Sequence, residues 1–337
     1  MEAKLIDLFE KQFGVSPDQI EMLPASGSAR KYYRMSLGDV SYIGAYYQNI
    51  EENDLFISFS NHFHAKGLSV PVIYAVADDR LAYIQEDLGN KMLLDIVQDG
   101  RQQEMLDRKR MDLYKKSLKE LLRFQLLGHE GLDYTHCVPR QAFDRRCMLW
   151  DLNYFKYCFL RLTGVGFSEE ALENDFERLV ARLSEVPVDS FMFRDFQSRN
   201  IMVKGDEVWF IDYQGGRRGA LHYDVASLLY DAIAGIPDSQ REELLDYYIQ
   251  ELQGYRAIEP DVFRQDYYRF VLIRLLQAMG AFGLRGLYEK KKHFIDSIHP
   301  GLKNIAVLFE SGKLGQEYPE LRKTIMKLVD CNLPAEV

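Results

Sequence analysis

The chain has few of the residues that would build a disulfide or zinc framework. Its four cysteines, Cys137, Cys147, Cys158 and Cys331, are scattered without a C-x-x-C pair, which leaves them as reduced core thiols. The seven histidines form no ligand cluster. His62 and His64 are close, but they fall on an expected helix, where residues two apart do not share a face. The first residues, 1–7, carry no basic segment followed by an apolar one, and no apolar run approaches the roughly 20 residues of a membrane span. These absences predict a cytoplasmic protein without a membrane partner. There is no excess of positive charge either. A formal net charge of -9 and a pI near 5.4 argue against nucleic acid as the main partner. Internal repeats and low-complexity segments are also absent.

What is present begins with bulk. With 337 residues and 47% hydrophobic content the chain buries a large core, and the length favours two compact units. The densest chemistry lies in residues 191–224. There Asp195 and Asn200 flank a short polar loop, and two apolar runs, 201–203 and 208–211, flank Lys204-Gly205-Asp206-Glu207. Two short apolar runs around a turn predict a β-hairpin. The residues just outside its open end, Asn200 and Asp212, would then be neighbours across a strand spacing of about 4.8 Å. An amide oxygen and a carboxylate so placed suit one hard cation, with Asp195 close by. Mg²⁺ is usually held by one or two carboxylates together with substrate phosphates. Any one of these residues alone would read as a turn former; three at this spacing point to phosphate chemistry.

The stretch Arg194-Asp195-Phe196-Gln197-Ser198-Arg199-Asn200, followed by a hairpin and Asp212-Tyr213-Gln214, resembles the catalytic loop and metal-binding Asp of protein-kinase-like enzymes. Phe193 stands where the loop usually has His, and D-Y-Q replaces D-F-G, so the resemblance is to the aminoglycoside and choline phosphotransferase family. Within it, Tyr223-Asp224-Val225 and the late stretch Gln277-Ala278-Met279-Gly280-Ala281-Phe282 are similar to the kinases of the anomeric hydroxyl of N-acetylmuramate and N-acetylglucosamine in cell-wall recycling. The resemblance implies an α+β, bilobal protein-kinase-like fold. A small antiparallel-sheet lobe, residues 1–87, would bind nucleotide, and a larger, mainly helical lobe, 88–337, would hold the catalytic and acceptor groups. It also implies ATP and Mg²⁺ as cofactors. Asp195 would be the catalytic base, Asn200 and Asp212 the metal ligands, and Arg194 and Asp224 the structural support of the loop. Asp224 also reads as the cap of an apolar helix.

In the small lobe the pattern predicts a helix over 5–13 and strands over 20–23, 32–35 and 40–46. The small-residue loop Ser26-Gly27-Ser28, with Arg30, is suited to phosphate contact. The third strand lacks the Lys that the family places there to hold phosphates. Either Arg30 or Lys31 substitutes for it, or phosphate binding is weak. A helix over 54–66 carries Leu55, Phe59 and Phe63 on one face. Glu51 or Glu52 would take the place of the family's helix Glu, or serve only as a first-turn acid. Strands over 71–76 and 81–86 lead into Gln85-Glu86-Asp87-Leu88-Gly89, where Glu86 and Leu88 mark the segment that would meet the adenine edge.

Beyond residue 88, helices are predicted over 109–127, 148–157, 169–183 and 266–287, the last apolar nearly all round. The aromatic helix at 148–157 offers Trp150 and Tyr154 to an acceptor pocket, although core packing explains single rings as well. Arg217 and Arg218 in a glycine-rich loop are candidates for stabilising transferred charge. Three functions fit: an amino-sugar kinase; an aminoglycoside or choline/ethanolamine kinase, whose pocket should gather carboxylates; and a nucleotide-binding pseudokinase. The first two take a small-molecule sugar or amine as partner.

Overall fold

The computed structural model describes residues 1–24, 29–99 and 105–330. The amino-terminal helix α1, Glu2–Phe13, stops at Gly14, whose φ of 76° is a left-handed cap that glycine adopts without a Cβ penalty. Five strands follow: β1 (Gln19–Met22), β2 (Lys31–Leu37), β3 (Val40–Tyr46), β4 (Ile73–Val76) and β5 (Ala82–Glu86). They form one antiparallel sheet in the order β1-β2-β3-β5-β4. Helix α2, Ile50–Ala65, is inserted between β3 and β4; the Asn49 side chain caps it by accepting from the Glu52 N–H. It begins four residues earlier than the apolar spacing predicts, because this polar cap sets the start.

Alternation along the strands divides the sheet into two faces. Tyr33, Met35, Ala82 and Ile84 turn towards α1 and pack on Leu5, Leu8 and Phe9. Ala45 and Tyr83 turn the other way and join Leu55, Phe56, Phe59 and Phe63 of α2 in the main core. That same core runs on through the helical remainder of the chain, so the small sheet is anchored to the larger lobe through α2.

The remainder is α3 (Leu93–Gln98), α4 (Arg108–Arg123), α5 (Arg145–Phe155), a last short turn α6 (Arg161–Thr163), α7 (Glu169–Leu183), strands β6 (Ser190–Met192), β7 (Ile201–Lys204), β8 (Glu207–Phe210) and β9 (Arg217–Gly219), then α8 (Leu221–Leu229), α9 (Asp238–Gln253), α10 (Pro260–Phe282), α11 (Lys292–Asp296), α12 (Ile298–Glu310) and α13 (Pro319–Asp330). This is the α+β, protein-kinase-like architecture. The expected hairpin is β7–β8, with Ile201 opposite Phe210 and Lys204 opposite Glu207. β6 pairs with β9, which ties both ends of the 190–219 segment together. Phe193, at the position expected for His, is a core residue instead: its ring meets Phe124, Phe196 and Phe210 at 5.3, 5.0 and 5.7 Å.

Two expectations need correction. The α8 helix starts at Leu221 with Ala220 as its N-cap, so Asp224 does not cap it. A continuous helix over Pro260–Tyr288 is long and apolar enough for a membrane span, contrary to the run-length reading. However, 61% of its apolar window is buried inside the protein, where it packs on α5, α8 and α12.

Candidate active site

The loop between β6 and β7 is held from behind. Asp224, fully buried, accepts the Phe193 and Arg194 N–H groups at 2.7 and 3.0 Å. Burial pushes its carboxyl up to about 7, and those two hydrogen bonds pull in the opposite direction. Arg194 itself has a left-handed backbone, φ 79°. Its guanidinium forks onto both oxygens of Asp151 at 2.5 and 3.0 Å and lies near the rings of Phe143 and Tyr223. The next side chain, Asp195, is 52% exposed and opens to the cleft, with Arg274 Nη2 3.5 Å from its Oδ1.

A 3₁₀ turn, Ser198–Asn200, leads into β7. Asn200 Nδ2 donates to the Asp195 carbonyl at 2.8 Å and to Asp212 Oδ2 at 3.3 Å, and Ile211 N–H donates to the Asn200 carbonyl at 3.1 Å. The hairpin therefore brings Asn200 and Asp212 into contact at its open end, beside the Asp195 backbone. Asp212 is the second left-handed non-glycine residue of the site, φ 64°; such residues cost on the order of 1–3 kcal/mol and need strong surroundings. Tyr213 supplies them. It is buried, its ring stacks on Phe56 at 5.0 Å and 7°, and its hydroxyl is 2.6 Å from Ser60 Oγ. Gln214 Nε2 donates to Asp212 Oδ1 at 2.7 Å and reaches Glu52 Oε1 at 3.5 Å.

The small lobe carries a different buried cation from the one the family leads one to expect. On β3, Ala45 lies between Tyr32 and Tyr83 in register. Arg30, only 5% exposed, enters the same side: its guanidinium is 3.7 Å from Glu52 and lies over the rings of Tyr47 and Phe56. Lys31 is exposed at the start of β2. The candidate phosphate-loop residues Ser26, Gly27 and Ser28 lie outside the described residues. At the other end of the cleft Glu86 is engaged, its N–H with the Val72 carbonyl and its carboxylate with Lys204 at 2.9 Å. Leu88 is buried, and the neighbouring Asp87 is fixed by Arg34 and Ser41 at 2.6 and 2.7 Å.

A pocket lies beside the loop, lined by Gln197, Arg199, Ser227, Asp231, Arg274 and His293 among its polar groups. Arg274 is 6% exposed and also donates to Ser227 Oγ and Gln277 Oε1 at 3.0 and 2.7 Å. Both Asp231 oxygens accept backbone N–H groups, from Ser198 at 3.2 Å and Ile233 at 3.1 Å.

Residues 48–260 match the family model described as the phosphotransferase enzyme family. The chain belongs to this family. Among curated relatives, this phosphotransferase is 26% identical over 255 residues to the N-acetylmuramate/N-acetylglucosamine kinase of Pseudomonas aeruginosa PAO1, covering 74% of this chain and 71% of that one. Among solved structures it is similar to the choline kinase of Cryptosporidium parvum, with a TM-score of 0.65, 13% identity and 97% and 100% coverage. A second is an aminoglycoside phosphotransferase in ternary complex with AMP-PNP and hygromycin B, with a TM-score of 0.60, 13% identity and 92% and 99% coverage. The protein is therefore a small-molecule kinase.

Not every candidate side chain joins this kinase's site. Trp150 is 45% exposed and Tyr154 packs against Gly280, where a Cβ would come within 2.7 Å of the tyrosine ring; neither lines the cavity. The face of α5 that carries Tyr154 is occupied by α10. Arg217 is buried and donates to the Gly215 and Val138 carbonyls, while Arg218 turns to Gln141 and the Tyr134 ring, so both guanidinium groups are engaged within the protein. Asp151 and Arg274 were missed by sequence reasoning. Each leaves a faint signal, a lone charge inside an otherwise apolar or aromatic helical run. Because Asp224 satisfies two buried donors, Asp224→Ala is expected to cost about 2–6 kcal/mol of stability, at roughly 1–3 kcal/mol per orphaned group. A denaturant midpoint unchanged from wild type would contradict this role.

Proposed function

We propose that the enzyme transfers the γ-phosphoryl group of ATP to a hydroxyl of an N-acetylated amino sugar, of the anomeric N-acetylmuramate/N-acetylglucosamine kinase type. The observation that carries the acceptor class is the charge of the cavity. A cationic acceptor such as choline or an aminoglycoside needs uncommitted carboxylates. Among the described residues the one carboxylate lining this cavity, Asp231, is engaged by two backbone N–H groups, and a buried arginine stands beside Asp195. The names of the curated relatives support the same reading.

In this reading the small lobe, residues 1–87, holds the nucleotide between the 26–30 loop, with Arg30, and the Glu86–Leu88 segment. Residues 88–337 present the acceptor. Asp195 orients the acceptor hydroxyl and takes its proton. Asn200 and Asp212 stand side by side at the hairpin end and offer an amide and a carboxylate, the donor types that suit a hard, oxygen-binding cation, and, among the described residues, no cluster of three His, Cys, Asp or Glu competes for a softer metal. Mg²⁺, when bound there, would neutralise phosphate charge. Positioning and electrostatics supply most of the rate in such a transfer.

The test is steady-state ADP formation with N-acetylglucosamine, N-acetylmuramate, choline, ethanolamine and hygromycin B. The sugars are expected to exceed the amines in kcat/KM by about 10²-fold or more, as unpaired buried polar groups penalise the wrong acceptor. A preference for an amine would overturn the acceptor class. Absence of turnover with every acceptor, despite Mg-ATP binding, would favour the pseudokinase reading.

A further inference from the structure

We propose that Asp151, on α5, is a positioning residue for phosphoryl transfer: it locks Arg194 in its left-handed backbone conformation and thereby sets the direction in which Asp195 presents its carboxylate. The proposal rests on the assignment of Asp195 as the proton acceptor.

The φ of 79° at Arg194 is one that a residue with a Cβ leaves unless its surroundings over-determine it. Three restraints act on Arg194. Its N–H is held by Asp224, its guanidinium lies near the rings of Phe143 and Tyr223, and its two terminal nitrogens meet the two oxygens of Asp151 in a parallel fork. The fork is the restraint that holds the side chain itself through two charge-assisted hydrogen bonds. Asp151 is itself 4% exposed, on a helix whose Cys147, Met148, Leu152 and Phe155 are buried in the core, so its carboxylate is fixed to a rigid element. Arg194 is the only charged partner whose hydrogen bonds to it are recorded among the described residues.

Asp195, by contrast, has little to hold its side chain. Half-exposed, it has Arg274 at 3.5 Å as its one ion-pair partner among the described residues, and its contact with Asn200 uses the backbone carbonyl. Its aim is therefore inherited from the peptide that precedes it. Release of the Arg194 side chain lets that peptide rotate back towards negative φ and carries the Asp195 carboxylate off the acceptor hydroxyl. A displacement of about 1 Å in such a geometry costs on the order of 10²-fold in rate.

Glycine takes positive φ without support, and this supplies a diagnostic rescue. Asp151→Ala, Asp151→Asn, Arg194→Gly and the double variant D151A/R194G are compared with Asp195→Asn, with kcat counted per nucleotide-binding site so that unfolded protein does not contribute. D151A is expected to lower kcat by about 10–10²-fold while KM for Mg-ATP stays within about 3-fold. D151A/R194G is expected to be at least about 5-fold faster than D151A, because the orphaned guanidinium is gone and the backbone keeps its conformation unaided. A purely structural pair would lower the melting temperature and leave kcat per site at the wild-type value, which overturns the proposal. A double variant as slow as D151A overturns it too, since the loss would not then run through Arg194. If D151A fails to fold, D151N, which keeps the size and one acceptor oxygen, and the double variant carry the same comparison. Wild-type turnover in Asp195→Asn would instead sink the base assignment, and would be seen independently of Asp151.

Discussion

Asp195→Asn is expected to lower kcat by about 10²–10⁴-fold, the usual range for loss of a positioned general base, with Mg-ATP affinity close to wild type. The geometry makes this a clean substitution. The side chain is 52% exposed, so an amide of the same shape needs no repacking. The Asn200 contact is to the Asp195 carbonyl and survives the change. The proposed metal-site pair, Asn200 and Asp212, lies at the open end of the hairpin, and its contact does not involve the Asp195 carboxylate. What is removed is the ability to take a proton from the acceptor hydroxyl, together with the charge that faces Arg274. Nucleotide binding by fluorescence competition, measured beside single-turnover kinetics, separates the two effects. A variant that turns over at the wild-type rate would show that another group accepts the proton.

Asp212→Asn is expected to raise the Mg²⁺ concentration needed for half-maximal nucleotide binding by about 10-fold or more, because a cation site built from one carboxylate and one amide loses its only fixed charge. The choice of Asn matters. Asp212 sits at φ 64°, a region that Asn tolerates and Ala does not, so Asp212→Ala would mix backbone strain with the loss of a ligand. The amide keeps one acceptor oxygen for either Gln214 or Asn200, which donate to opposite oxygens of the present carboxylate, so one of those two hydrogen bonds is lost with the charge. Calorimetric titration of nucleotide at several Mg²⁺ concentrations reads the change, and an unaltered Mg²⁺ dependence would move the cation elsewhere.

Much of this site was legible along the chain because its central piece is local. Asn200 and Asp212 are joined by two short strands and a tight turn, and strand pairing alone brings them together. The same holds for α2, whose apolar spacing at Leu55, Phe59 and Phe63 follows the helical period and ends in the core. The aromatic helix over 148–157 shows the limit. Its composition suggested Trp150 and Tyr154 for a pocket, yet the residue that reaches the catalytic loop is the acid between them, Asp151. Helical periodicity tells which residues share a face; it does not tell which neighbour that face meets.

The sequence by itself determined the family, the hairpin that joins Asn200 to Asp212, and the order of strands first and helices after, since each is written in short-range spacing of apolar, turn-forming and acidic residues. Only the tertiary structure decided which charges stand around Asp195. Asp151, Arg274 and Asp224 arrive from three different helices, and Arg30, just before β2, pairs with Glu52 at the start of α2. Their positions depend on how helices pack against one another and on where buried charges find partners, and neither is encoded in the local order of residues.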